Sequence, residues 1–222
     1  MPSQEYYQRN LPHWHPPGVP IFCTFNLYGS LPKKVLTALK SRQRLLAREI
    51  SGLSEIEQQK RRLEHYRIMF RRIDATLDSA GTGHLWLAQP EIASMVQATL
   101  VTRYASLYKL WAYVVMANHV HLLITPKMTL ADHFVPLSKI LQKLKGYTAR
   151  EANLMLGRTG MPFWQDESFD HWSRDHDEFM RIVTYIENNP VKAGLVMQST
   201  DWKYSSAAER KRRGLTTVCS LT

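Results

Sequence analysis

Acidic residues are scarce in this 222-residue chain. Nineteen Asp and Glu face 29 Lys and Arg, which leaves a formal charge of +10 at pH 7. Cysteine is rarer still: Cys23 and Cys219 are too few for a disulfide framework or a four-cysteine zinc site, and two free thiols suit a reducing cytoplasm. No apolar run approaches the roughly 18–20 residues that a membrane-spanning helix needs. The opening Met1-Pro2-Ser3-Gln4-Glu5-Tyr6 lacks the apolar core of a signal peptide, so a cytoplasmic location is expected. Internal repeats and low-complexity segments are also missing. A hydrophobic content of 44% and a charged content of 22% exclude wholesale disorder. What remains is one soluble, basic domain, and its surplus charge suits a polyanionic partner, most often nucleic acid.

Along the chain, residues 19–27 alternate with β-branched and aromatic side chains and predict a strand. Residues 31–50 and 54–80 predict two helices, broken at Ser51-Gly52, with Ser54 and Glu57 in a capping-box pattern. The second carries Lys60, Arg61, Arg62, Arg67, Arg71 and Arg72, a face that is either solvated or an extension of a DNA-binding surface. Pro90 opens a further helix to about residue 107. Two β-rich runs, 108–116 and 119–125, joined at Ala117-Asn118, predict a hairpin. A long helix is expected over 129–156, with Pro136 splitting or kinking its start. A strand follows over 163–172, then a helix over 175–189 closed by Asn188-Asn189-Pro190. Residues 209–222 read as a basic tail that frays.

Two histidines stand out. His119 and His121 are two apart in a strand, so their imidazoles share one face while Val120 points to the other. Convergent imidazoles make a pair of metal ligands with positions left open for substrate oxygen and water. The plainer alternative is two satisfied histidines lining a sheet. Downstream, Tyr147 lies in a basic helix flanked by Lys139, Lys143, Lys145 and Arg150. A phenol titrates near ~10 and is a weak nucleophile at neutral pH unless cations or a metal favour its phenolate. Ten tyrosines are present, so an ordinary amphipathic role is the competing account.

Taken together, these segments resemble a known family. Val115-Met116-Ala117-Asn118-His119-Val120-His121-Leu122-Leu123 is similar to the HUH motif of the IS200-like single-tyrosine transposases. Leu144-Lys145-Gly146-Tyr147-Thr148-Ala149-Arg150 resembles their nucleophile helix. The segments 9–17, 163–171, 185–196 and 202–207 narrow the resemblance to the REP-associated tyrosine transposases, over about residues 9–208. One departure is visible: Ala117 stands where relatives usually carry Pro, which loosens a turn and removes no chemistry.

The resemblance implies an α+β fold: a ferredoxin-like antiparallel sheet with helices packed on one face. It places a helical insertion (about 31–80) after the first strand, within a single domain over 1–208. It implies a metal-dependent endonuclease and strand transferase that cuts and rejoins single-stranded DNA at hairpin-forming repetitive extragenic palindromes, through a 5′-phosphotyrosine link. Tyr147 is then the nucleophile, and His119 and His121 hold Mg²⁺ or Mn²⁺. A polar residue one helical turn after the nucleophile, usually Gln or Asn in relatives, completes the metal site, which nominates Glu151 here. Lys139, Lys143, Lys145, Arg150, Trp164 and Gln165 are the expected DNA contacts, Trp164 by stacking on unpaired bases. Monomer and dimer stay open. So do two rival functions: a palindrome-binding protein that does not cut, and a phosphodiesterase that uses water.

Overall fold

The computed structural model describes residues 7–8, 12–13, 16–79 and 81–222; most of the 9–17 segment lies outside them. Two short strands, β1 (Tyr7–Gln8) and β2 (Pro12–His13), pair antiparallel at the start. The core sheet has four strands: β3 (Ile21–Asn26), β4 (Tyr108–Val115), β5 (His119–Pro126) and β6 (Phe169–Trp172), in the antiparallel order β4-β5-β3-β6. Counting only these four, the order is 2-3-1-4, the ferredoxin-like arrangement implied by the resemblance.

Six helices surround the sheet: α1 (Lys33–Glu49), α2 (Glu55–Asp78), α3 (Pro90–Ala98), α4 (Leu137–Met155), α5 (His176–Lys192) and α6 (Ser206–Arg213). Side-chain alternation sorts them. Cys23, Phe25, Val120, Leu122 and Ile124 point to one side and pack with Ile92, Val96, Ile140 and Leu144 of α3 and α4. Phe22, Val114 and Leu123 point to the other and pack with Val183 and Ile186 of α5, with Phe70 of α2 against them. The expectation of helices on one face therefore holds for α3 and α4 and fails for α2 and α5. Covering both faces explains why β4 and β5 read as near-continuous apolar runs.

Other boundaries shift for local reasons. The capping box at Ser54 and Glu57 forms as expected. Residues 129–136 are not helical, and α4 starts directly after Pro136, whose ring keeps it out of the preceding turn. Only the last four residues of the expected 163–172 strand pair with β3; Trp164 makes a lone bridge to Leu27. Helix α5 does not stop at Asn189-Pro190. It runs through Pro190 to Lys192 and turns out at Gly194, whose φ of 69° only glycine adopts without strain.

The basic tail does not fray. Ser205 caps α6, and Arg210 donates to the Trp111 carbonyl (2.9 Å) and pairs with Glu187. Leu221 sits in the main core at 4% exposure, and its N–H donates to the Leu110 carbonyl at 2.8 Å. Leu221→Ala should then cost about 2–4 kcal/mol of stability, as buried leucine truncations do. A denaturant midpoint unchanged from wild type would restore the fraying tail.

Candidate active site

The site begins with the register of two strands. β3 pairs with β5 so that Thr24 stands opposite His121 and Asn26 opposite His119. Both imidazoles are buried, at 1% and 0% exposure, on the face covered by α2 and α5. Each has one nitrogen occupied. Asn118 donates its amide N–H to the Leu77 carbonyl (3.0 Å), which turns its oxygen toward His119 Nδ1 at 2.7 Å. His119 Nδ1 is thus the protonated nitrogen, and the lone pair sits on Nε2. His121 Nδ1 meets the Thr24 hydroxyl at 2.7 Å. The Nε2 atoms of both rings are buried and make no well-formed hydrogen bond. Burial first, and the neighbouring His121 second, push the His119 imidazole well below its usual range, so it is neutral. Two rings anchored at Nδ1 with Nε2 turned inward are what a metal ion requires of its histidines.

Helix α5 brings a second set of groups. Tyr185, Asn189 and Lys192 are spaced four and then three residues apart, one stripe of the helix. The Tyr185 ring stands edge-on to His121, with centroids 5.5 Å apart, and the residue also lines an open groove along α5 with Arg181 and Lys192. Its hydroxyl donates to Asp74 of α2. Burial and then the Asp74 carboxylate push the phenol well above its usual range, eased by the Asn189 amide beside it. Asn189 is fully buried, and neither its amide nitrogen nor its oxygen makes a well-formed hydrogen bond. Asp74 lies 3.4 Å from His121 Nε2, and its other oxygen accepts from Lys192 Nζ at 2.9 Å. Burial opposes the charge on Asp74, but the nearby His121 ring and the bonds from Tyr185 and Lys192 outweigh it and hold the carboxyl well below the usual range. Among the described residues no group of three or more His, Cys, Asp and Glu side chains forms a complete metal cage.

The structure does not bring Tyr147 to this site. Tyr147 lies on α4, which packs on the opposite face of the sheet; its ring carries the Arg103 guanidinium at 3.7 Å and meets Tyr104 edge-on. Glu151 shares that helix, half-buried, with Arg150 at 3.8 Å, so it is a surface charge remote from the histidines. Lys139, Lys143 and Arg150 are exposed on the same helix, away from the imidazole pair. Lys145 instead ties α4 to the following loop, donating to the carbonyls of Gln165 (2.7 Å) and Asp166 (2.9 Å). Trp164 is a core residue, not a base platform. It is 6% exposed, stands edge-on to Phe25, and its indole N–H donates to Thr148 at 2.9 Å. Gln165 is half-buried, and its backbone N–H donates to the Asn26 carbonyl.

Comparison with known proteins agrees with this architecture. Residues 90–189, which include the histidine pair and Tyr185, match the family of IS200-like transposases. A curated REP-associated tyrosine transposase of Escherichia coli (strain K12) is 28% identical over 108 residues, 49% of this chain. The chain is similar to the REP-associated tyrosine transposases. It spans 59% of the length of that curated relative. A solved structure, a REP-associated tyrosine transposase bound to a REP hairpin, shares the fold at a TM-score of 0.54 and 19% identity. That match covers 96% of this chain and 89% of the other.

Sequence reasoning missed Tyr185, Asn189 and Asp74. A signal for the first two was present: Tyr185 carries Asn four residues on, the amide spacing of relatives, whereas Tyr147 carries Glu151. An unpaired buried amide lowers stability, so Asn189→Leu should leave stability within about 1 kcal/mol of wild type or raise it. A loss of more than about 2 kcal/mol in a denaturant titration would mean that Asn189 is a structural hydrogen-bonding residue.

Proposed function

We propose that the chain is a transposase-like nuclease and strand transferase acting on single-stranded DNA beside a palindromic hairpin, with Tyr185 as its nucleophile. The observation that carries this reading is a half-buried phenol edge-on to His121 of the open-nitrogen histidine pair, on the one face of the sheet that holds both. The hairpin partner is taken from the solved relative, whose own complex contains a REP hairpin.

His119 Nε2, His121 Nε2 and the Asn189 amide oxygen would hold a divalent cation, Mg²⁺ or Mn²⁺, and their unpaired, buried state fits that use. Such a cation supplies polarisation of the scissile phosphate and neutralises charge that develops on it. The chain's own residues do the rest. Tyr185 forms the new P–O bond in line while the bond to the 3′-oxygen breaks. The phenol gives up its proton and the departing 3′-oxygen takes one up, so the exchange is neutral in protons. The resulting phosphotyrosine link at the 5′ end keeps the ester's free energy, and a second 3′-hydroxyl can reverse the step without ATP. Asn118 and Thr24 keep the imidazoles turned inward throughout.

The exposed cations of α2 (Lys60, Arg61, Arg62, Arg67, Arg71 and Arg72) lie on the helix that covers the histidine face, and they provide charge for the DNA backbone there. Binding of a single strand should weaken as salt rises, with a log–log slope of about −0.7 per phosphate contact. A flat response would remove these cations from the binding surface.

A labelled hairpin oligonucleotide with a single-stranded flank tests the chemistry directly. Tyr185→Phe should abolish the denaturation-resistant protein–DNA adduct, and Tyr147→Phe should retain it. His119→Ala and His121→Ala should lose cleavage in Mn²⁺ while hairpin affinity stays near wild type, because phosphate and base contacts supply it. An adduct formed by Tyr185→Phe defeats the assignment. A wild-type protein that binds the hairpin and never forms an adduct is a palindrome-binding protein instead.

A further inference from the structure

Asp74 has no part in the chemistry described so far, although it meets Tyr185, Lys192 and His121 at the centre of the site. It arises from α2, within the helical insertion and outside the family match at residues 90–189. Its side chain is 6% exposed. One carboxylate oxygen accepts the Tyr185 hydroxyl and lies 3.4 Å from His121 Nε2. The other accepts from Lys192 Nζ at 2.9 Å, and Lys192 also donates to Asp78 at 2.7 Å. A buried carboxylate survives only when its oxygens are bonded, and here both hydrogen-bond donors, Tyr185 and Lys192, come from α5. One link thus joins the inserted helix to the helix that bears the nucleophile.

The phenol needs such a link. Tyr185 swings about two side-chain bonds, and its oxygen must stop within reach of a phosphate held at the imidazole pair. Phe22 and Phe70 stand edge-on to its ring at 5.9 and 5.8 Å and restrict the ring plane. They leave the oxygen itself unanchored, and the single strong acceptor that reaches it is Asp74. Fixing the attacking atom matters because an error of about 1 Å costs on the order of 100-fold in rate.

We propose that Asp74 is a positioning residue for Tyr185, and that the α1–α2 insertion is therefore part of the active site. The proposal rests on Tyr185 being the nucleophile. Asp74 acts through the tyrosine: its oxygen holds the hydroxyl at the histidine end of the groove, and Lys192, bridged to Asp78, keeps the carboxylate from turning away.

Two substitutions separate positioning from simple charge pairing. Asp74→Asn keeps an acceptor oxygen in place and discards the charge that Lys192 sees. Asp74→Glu keeps the charge and moves the acceptor by one methylene. Each is compared with wild type in single-turnover adduct formation in Mn²⁺, on a REP hairpin oligonucleotide with a single-stranded flank. The adduct site is mapped by peptide analysis, and hairpin affinity is measured in parallel. Positioning requires Asp74→Asn to stay within about threefold of wild type and Asp74→Glu to fall by about 10- to 100-fold, both with unchanged hairpin affinity. If Asp74→Glu does not fold, Asp74→Ser, which withdraws the acceptor without adding bulk, takes its place and must be as slow. The reverse order, with Glu active and Asn slow, would assign Asp74 to ion pairing alone and overturn the proposal, as would wild-type rates in both variants. An adduct mapped away from Tyr185, or none from wild type, instead breaks the reading of the nucleophile on which this inference stands.

Discussion

Two imidazoles, a carboxylate, a phenol and an amide are crowded between a sheet and two helices, and removing them from water is the constraint the rest of the structure has to satisfy. Each such group costs on the order of 1–3 kcal/mol if left without a partner. The sheet meets part of this through register: β3 opposite β5 puts Thr24 and Asn26 beside the histidines, and the hairpin turn supplies Asn118. The Asn118 amide is itself held by the Leu77 carbonyl near the end of α2. Helix α2 adds Asp74, and α5 answers with Tyr185 and Lys192. The groups that stay unmatched are His119 Nε2, His121 Nε2 and the two polar atoms of Asn189. Unmatched polar atoms gathered beside a phenol and a carboxylate call for a functional explanation.

Much of this was legible in the sequence. Period-two alternation places His119 and His121 on a common face without any structure, because it depends only on the pleat. The capping box of α2, the hairpin at Ala117-Asn118 and the insertion after the first strand follow from equally local rules. The side of the sheet on which each helix lands does not. Tyr147 and Tyr185 both sit in amphipathic helices after the histidines, and nothing local to either says which helix crosses to the imidazole face. Chain order and neighbouring lysines favour Tyr147. The three-dimensional arrangement favours Tyr185, since the crossover helix α4 shares its face with α3, and the histidine face is left for α5.

The same distinction separates the other misread residues. Trp164 looks like a base-stacking platform by composition, yet its indole N–H finds Thr148 on α4 and its ring finds Phe25 on the sheet. A tryptophan with its one donor satisfied indoors has no reason to be outdoors. The run Arg210-Lys211-Arg212-Arg213 reads as solvated, but Glu209 at 3% exposure binds two of those arginines, and Arg210 turns inward to the Trp111 carbonyl. Composition reports the average environment of a residue type. A partner that arrives from a hundred residues away decides the individual case.

Helix α5 shows how little sequence a site of this kind needs. Residues 185, 189 and 192 form one stripe that delivers a phenol, an amide and an ammonium toward the same side. Pro190 lies directly in that stretch and withholds one intrahelical hydrogen bond, the one to the Ile186 carbonyl. Gly194 then closes the helix two residues after Lys192. The apolar residues Val183 and Ile186, three apart, seat the same helix on Phe22, Val114 and Leu123 of the sheet. The same stretch of helix therefore both packs and presents the polar stripe, and its orientation is set by burial of the apolar pair. A change at Val183 or Ile186 would rotate the stripe relative to the histidines. In this fold, then, the packing of α5 and the alignment of Tyr185 with the imidazole pair are the same physical quantity, and stability and chemistry cannot be tuned apart there.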